Sequence, residues 1–367
     1  MKYVDEFRDP RAVRELAQAI NRIALPRVRL MEVCGTHTMS IARYGLRELI
    51  AERAELISGP GCPVCVTPQG DIDWFLAAAR LPGVIAATFG DMMRVPGSDS
   101  SLEQERARGA EVRVVYSPAD AVELARRNPE RQVIFFGIGF ETTAPAVAMS
   151  VLEAKGDSLA NYSAFCAHKL IPPALAALVA APDLAVNGFI LPGHVSAIIG
   201  SRPYEFLARE HGVPCVVAGF EPVDVLQAVR MLLLQIAQGR AAVEIAYNRA
   251  VAPEGNPKAR AVVSQVFEVA DARWRGLGDI PASGLAVNAQ HASFDARRRF
   301  DLTVSPAVEP RGCRCGEVLR GAIHPEQCAL FGRRCTPREP VGPCMVSSEG
   351  ACAARYRYRA APAGGEA

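Results

Sequence analysis

Eight short apolar runs, each closing on a turn and leading into a segment of helical spacing, constrain the fold of this 367-residue chain more than any other feature. They are RVRLMEVCG (27–35), AELISGPGC (54–62), GVIAATFGD (83–91), EVRVVYSP (111–118), RQVIFFGIGFE (131–141), YSAFCAHK (162–169), LAVNGFILPGH (184–194) and VPCVVAGFE (213–221). Runs without polar alternation predict strands buried on both faces, the signature of parallel sheets covered by helices. Eight such units exceed one comfortable sheet, so the expected class is α/β, with two parallel-sheet domains and a small C-terminal domain. The expected boundaries are 1–130, 131–240 and 241–367. An amphipathic helix is expected over 1–25, where Phe7, Val13, Leu16 and Ile20 share one face. GFETTAP at 139–145 and GFEPVD at 219–224 repeat a Gly-Phe-Glu turn and support the two-domain reading. After about 240 the rhythm stops. A strand-like AAVEIAYNR and a helix over 257–269 lead into a Gly/Pro/Ser-rich stretch at 275–284. The tail AAPAGGEA is expected to be disordered.

Composition removes several classes of function. A net charge of +2 argues against a long nucleic-acid groove. No apolar run reaches the ~18 residues of a membrane span. The start, MKYVDEFRDP, carries acids and no apolar core, unlike a signal peptide. A cytoplasmic setting follows, in which thiols stay reduced. Eleven cysteines in that setting point to metal binding or thiol chemistry rather than a disulfide scaffold.

Nine of the eleven fall in three compact segments. Six lie in the last sixth of the chain, as C-x-C-x12-C-x6-C-x8-C-x7-C from Cys313 through Cys315, Cys328, Cys335 and Cys344 to Cys352. From 311 onward Cys, Gly, Pro and Arg dominate, and so little aliphatic content needs a metal or cross-link to hold its shape. Zinc sites favour paired C-x2-4-C knuckles on both sides. Spread ligands among Gly and Pro suit an iron–sulfur cluster better, with two thiols left over. Nine arginines against four glutamates between 311 and 359 would offset a cluster's negative charge. Zinc and plain structural thiols remain the alternatives, and spacing alone does not choose the four ligands.

The other three sit in two glycine-rich turns. Cys34 in MEVCGTHTMS is expected at a strand end, beside the N-terminus of a helix over 37–50 whose dipole would favour thiolate. Thr36 or Thr38 is a candidate cap for that helix. His37 is a candidate to assist a thiolate or to donate to a ligand. Cys62-Pro63-Val64-Cys65 is a CxxC pair that can chelate a metal or close a disulfide. Pro63 keeps Cys62 extended and leaves Cys65 freer to turn toward a metal. Cys166 and Cys215, inside apolar runs, read as inert core residues. Asp91, Glu141, His168, His194 and Glu221 fall at expected strand ends, where ligands of open parallel sheets sit. Each also has a structural reading as a cap or turn residue. No Walker A, G-x-G-x-x-G, G-x-S-x-G or H-E-x-x-H motif is present.

MEVCGTHT, GPGCPVC, FGDMMRVPG, GFETTAP, LPGHVS and CTPREPVGPCMVSSEGAC together resemble the HypD family of NiFe-hydrogenase maturation factors, over residues 27 to 358. The resemblance implies two α/β domains and a 4Fe-4S domain. It implies a redox-active assembly scaffold, rather than a conventional turnover enzyme, on which an iron carrying two cyanides and one CO is built for the hydrogenase large subunit. The implied partners are a HypC-type chaperone and a HypE-type cyanide donor. Carried over by motif, Cys34 is an iron ligand or the partner-facing thiol, and of the Cys62–Cys65 pair, toward which electrons would pass, Cys65 is the likelier iron ligand. Cys313, Cys328, Cys335 and Cys352 match the family's cluster spacing, C-x14-C-x6-C-x16-C, and Cys315 and Cys344 match a dithiol relay. A ferredoxin-dependent thiol–disulfide reductase is the alternative from another class; it would need Cys62 and Cys65 but not Cys34. A structural metal-bound interaction module is a third reading.

Overall fold

The structure is a computed structural model that describes residues 5–182 and 184–358. All eight apolar runs form strands: β1 (Val28–Glu32), β2 (Ala54–Ser58), β3 (Val84–Thr88), β4 (Glu111–Val114), β5 (Gln132–Gly137), β6 (Tyr162–Cys166), β7 (Gly188–Pro192) and β8 (Cys215–Ala218). The strand-like stretch after 240 contributes β9 (Val243–Ile245). They make two all-parallel sheets, in the orders β2-β1-β7-β8-β9 and β4-β3-β5-β6.

The sheets do not divide at residue 130. β1 and β2 begin the first sheet, the chain then builds all of the second, and β7 to β9 return to complete the first. Nor do the sheets own separate cores. Met31, Ile57 and Phe189 of the first share a buried cluster with Ile134, Phe136 and Phe165 of the second. The helix Gln69–Ala79 contributes to it, with Phe75 stacked 4.3 Å from Phe136 and Trp74 4.6 Å from Phe165. Apolar runs mark which segments become strands, but strand partners depend on helix packing that no local pattern encodes.

The N-terminal helix is shorter than expected, Pro10–Asn21, with Asp9 as its cap. Arg8 is ion-paired to Glu221, which ties this end to the turn after β8. The helix after Cys34 runs Gly35–Arg43 and is separated from a short helix, Leu46–Leu49, by Gly45 at φ +61°. The helix Pro257–Val266 ends where β10 (Phe267–Trp274) begins. β10 pairs antiparallel with β11 (Gly278–Val287), so the Gly/Pro/Ser-rich stretch lies largely inside a hairpin. Phe267, Leu285 and Val287 pack into the cluster of the second sheet. Residues 243–287 therefore belong with the two sheets, and the cysteine-rich unit begins only near 311. Its own small cluster contains Cys335, Met345 and Ala353. The tail from 359 lies outside the described residues.

The turns after β1 and β2 interlock. β1 and β2 end level, Glu32 opposite Ser58. The Gly59 N–H then donates to the Glu32 carbonyl and the Gly35 N–H to the Gly61 carbonyl, both at 2.8 Å. A Cβ at Gly61 would fall 2.0 Å from the Cys34 nitrogen, so the two backbones meet only because residue 61 is glycine. We expect Gly61→Ala to lower unfolding stability by about 1–3 kcal/mol through overpacking. Gly156→Ala, where a Cβ meets nothing within 4 Å, should leave stability within about 0.5 kcal/mol of the parent. Chemical denaturation of both variants measures the contrast.

Candidate functional site

In open parallel sheets a crevice forms where strand order reverses, beyond the carboxyl ends of the strands. Here the order reverses between β1 and β7 in one sheet and between β3 and β5 in the other. The turns after these four strands open onto one cleft of about 1240 Å³. Thr36, Pro63, Asp91, Thr142, Thr143 and His194 line it, drawing on most of the motifs that sequence analysis singled out.

Cys34 caps the helix Gly35–Arg43 in an extended conformation, with its Sγ 3.7 Å from Nδ1 of His194 after β7. The histidine against this thiol is thus His194 rather than His37. His37 is fully buried, and its Nε2–H donates to the Gly219 carbonyl at 2.8 Å. Burial holds both imidazoles down at about 4, so both are neutral at pH 7. The expected thiolate at Cys34 is also corrected. Burial pushes this thiol up, the Glu349 charge adds to that, and the helix N–H groups offset only part of it. Neither Thr36 nor Thr38 caps the helix. Thr38 donates to Glu32, whose carboxylate also accepts the Cys34 N–H at 3.2 Å and is raised by burial to about 7.

Cys62 is extended, as Pro63 requires, and its sulfur accepts from the Cys65 N–H at 3.4 Å. Cys65 is fully buried on the short helix Pro63–Val66, which packs against the Pro343–Met345 turn carrying Cys344 of the C-terminal unit. The Cys344 and Cys315 sulfurs lie 2.6 Å apart. A file of buried thiols therefore runs from the CxxC turn into the C-terminal unit. The hairpin that sequence analysis missed braces this turn. Its Arg275 N–H donates to the Val66 carbonyl at 2.8 Å, and the guanidinium donates to the Thr67 carbonyl and to Gln69.

Cys313, Cys328, Cys335 and Cys352 all line one cavity of about 330 Å³, with Leu330 and Phe331 among its apolar walls. A Cβ on Gly342 would lie 2.6 Å from the Cys313 sulfur, so a glycine keeps that side clear. Among the described residues, no three His, Cys, Asp or Glu side chains converge closely enough to hold a single metal ion. Cys315 and Cys344 line the same cavity, so six thiols surround it, and thiols with no carboxylate or imidazole among the lining groups suit an iron–sulfur cluster.

The C-terminal unit also reaches the cleft, which sequence analysis did not foresee. Ser347 donates to Asp91 at 2.7 Å, and Thr36 donates to Glu349 at 2.6 Å. The only sequence signal was their place in the VSSEG stretch between two cysteines. Glu141 serves two elements: it stands beside the cleft-lining Thr142 and Thr143, and its Oε1 accepts the Ile171 N–H at 2.9 Å to cap the next helix. Cys215 is a core residue of β8, as expected. Cys166 is partly buried against the core, its Sγ donates to the Leu285 carbonyl at 3.1 Å, and burial pushes the thiol up to about 12.

The chain is an α/β protein with two parallel sheets facing across a cleft, buried thiols in the turns after β1 and β2, and a separate six-cysteine cavity. Comparison with known proteins specifies the family. The family model HypD, described as "Hydrogenase formation hypA family", matches residues 11–359. Hydrogenase maturation factors HypD of Cupriavidus necator, Azotobacter vinelandii and Escherichia coli are 48%, 50% and 47% identical to the chain. Each alignment covers 98% of this chain and 97%, 97% and 98% of the respective relative. The chain belongs to the HypD family of hydrogenase maturation factors.

Burial raises Glu141 to about 7, and its Oε2 has no hydrogen-bond partner. A carboxyl whose folded pKa is raised stabilises the fold below its unfolded pKa, and that stabilisation is lost as pH rises through 7. Glu141→Gln keeps the acceptor for Ile171 and removes the titration. Relative to the parent, it should gain about 2 kcal/mol of stability between pH 5 and pH 8. Urea denaturation at both pH values checks this; a pH-independent difference would place the Glu141 carboxyl in contact with water.

Proposed function

We propose that this maturation factor is the scaffold on which an iron carrying two cyanides and one CO is assembled before delivery to the large subunit of a NiFe-hydrogenase. The observation that carries the reading is that the Cys34 and Cys62–Cys65 turns interlock beside one cleft, and that the second packs against the turn bearing Cys344 of a six-cysteine cavity. Low-spin Fe(II) with cyanide and CO is soft, and thiolates suit it. Cys34 and Cys65 are its ligands in this reading. Binding metal requires each thiol to lose its proton. His194, neutral and 3.7 Å from Cys34, is the base within reach of that thiol. Thr36 lines the cleft, and its hydroxyl would serve a cyanide nitrogen only in place of Glu349, to which it donates at 2.6 Å. His37 is committed to Gly219 and leaves this role.

Cys313, Cys328, Cys335 and Cys352 would hold a 4Fe-4S cluster, which supplies single electrons when bound. In this reading Cys344, 2.6 Å from Cys315 and on a turn packed against the Cys65 helix, would carry thiol–disulfide exchange between the Cys315–Cys344 and Cys62–Cys65 pairs. Exchange needs one partner as thiolate, and contact between the sulfurs shortens the proton's path. A HypC-type chaperone and a HypE-type cyanide donor are the proposed partners at the cleft. Among the described residues no helix is long and apolar enough to cross a membrane.

The same file of thiols would serve a thiol–disulfide reductase, and Cys34 separates the two readings. Infrared spectra of anaerobically purified protein with its chaperone should contain metal-bound cyanide and CO bands. Cys34→Ala should abolish these bands and keep the brown absorption with about four irons per chain. Cys328→Ala should lose the brown absorption. Bands that persist without Cys34, or full maturation of hydrogenase by that variant, would refute the scaffold. Stoichiometric zinc in the six-cysteine cavity would refute the cluster.

A further inference from the structure

A third cavity, of about 640 Å³, lies beyond the C-terminal end of β6. The helix Gln69–Ala79, the β10–β11 hairpin and the Asp295–Arg297 turn enclose it. None of the cysteines of the cleft or of the six-cysteine cavity lines it. Its most unusual member is Lys169. Only four of the chain's 41 Lys and Arg residues are lysines, and this one is 4% exposed. Its backbone is fixed: the N–H donates to the Gly139 carbonyl at 3.0 Å, and the residue bridges to Gly284 of the hairpin.

The ammonium is poorly served by its surroundings. It makes no hydrogen bond to another described residue, and its one ion pair is with Asp71 Oδ2 at 3.8 Å, beyond hydrogen-bonding distance. The other Asp71 oxygen is held by Arg297 at 2.5 Å. The remaining carboxylates of the cavity are engaged elsewhere: Asp295 accepts the Arg297 N–H and Asp271 the Ala282 N–H, both at 2.9 Å. The residue is 4% exposed and lines the cavity, so its free donors open onto that space, where an acceptor would meet them. Arg297 is held beside it with its guanidinium over the Phe165 ring, 4.2 Å from the centroid, which orients a second cation at the cavity wall. His168, fully buried on the same wall, is neutral at pH 7 because burial lowers it, so it adds no competing positive charge.

We propose that this cavity binds a small oxyanion, a carboxylate or a phosphate, on the Lys169 ammonium with Arg297 as the second cation. The mixed charge of the walls selects for small size, because a large polyanion would meet Asp71 and Asp295 as well as the two cations. The site is separate from the metal-handling cleft and does not depend on its chemistry.

The test uses the full chain, purified anaerobically with its iron–sulfur absorption monitored as the check on integrity. Acetylation of Lys169 by an N-hydroxysuccinimide ester is followed by peptide mapping, with exposed Lys155 and Lys258 as internal references. Inorganic phosphate is one probe, acetate and formate are the other, and chloride at equal ionic strength is the control. A saturating probe should slow acetylation of Lys169 roughly tenfold and leave the references unchanged. Protection by phosphate alone assigns a phosphate site, and protection by acetate or formate assigns a carboxylate site. In parallel, calorimetric titration should show one saturable site that Lys169→Met removes and Lys169→Arg retains in part. Absence of protection by every probe, or equal binding by Lys169→Met, overturns the proposal. If Lys169→Met does not fold, the protection measurement on the unaltered chain decides alone.

Discussion

The backbone contact between the two cysteine turns is the constraint on which the rest of the site depends. Parallel pairing ends β1 and β2 at the same level, so the Cys34 and Cys62 turns leave the sheet side by side. Gly59 and Gly61 let the second turn lie against the backbone of the first, closed by the Gly35–Gly61 hydrogen bond. On the other flank of β1, the same register sets Glu32 beside Ile190 and brings His194 to the Cys34 sulfur. No side-chain interaction has to hold the thiols in place, because backbone hydrogen bonds and strand register already do so.

Much of this was legible in the sequence because it is local. The eight strands announced themselves as apolar runs, and of the singled-out residues at their ends Asp91 and His194 line the cleft, whereas His168 lines a different cavity and Glu221 pairs with Arg8. What could not be read was association. Strand runs do not say which sheet they join, so the division at residue 130 cut through the second sheet. The β10–β11 hairpin escaped because most of its residues between Glu268 and Ala282 face solvent, and Pro281 and three glycines mask its strand character. His37 and His194 illustrate the same limit at the site. Adjacency in sequence favoured His37, yet the helix turns it toward Gly219, while His194 arrives from a strand more than 150 residues away. The thiolate expected at Cys34 failed for an energetic reason: desolvation of a fully buried sulfur outweighs the N–H groups of one short helix.

The C-terminal unit reads as an unfinished domain when taken by itself. Its apolar cluster is small, and much of its backbone lies in turns and short 3-10 helices. Two things compensate. The six-cysteine cavity supplies a place where a cluster would cross-link four segments. The unit also leans on the sheets, through Ser347 and Glu349 at the cleft and through His324 against Glu55. Folding of this unit, loading of its cavity and completion of the cleft wall are thereby coupled, since the same loop closes the cleft between Cys344 and Cys352.

Burial gives the thiols a second property that matters as much as their positions. A thiol kept protonated by desolvation is a weak nucleophile and reacts poorly with oxidants and electrophiles. It becomes a strong ligand once a cation takes the place of its proton, because the low-dielectric surroundings that oppose a lone thiolate favour a thiolate paired with metal. Cys34 and Cys65, both fully buried and both raised, meet this condition. The neutral imidazole 3.7 Å from the Cys34 sulfur adds no charge beside it. The protonated state of these thiols thus rests on desolvation, and desolvation rests on the glycine contacts that let the two turns close against each other.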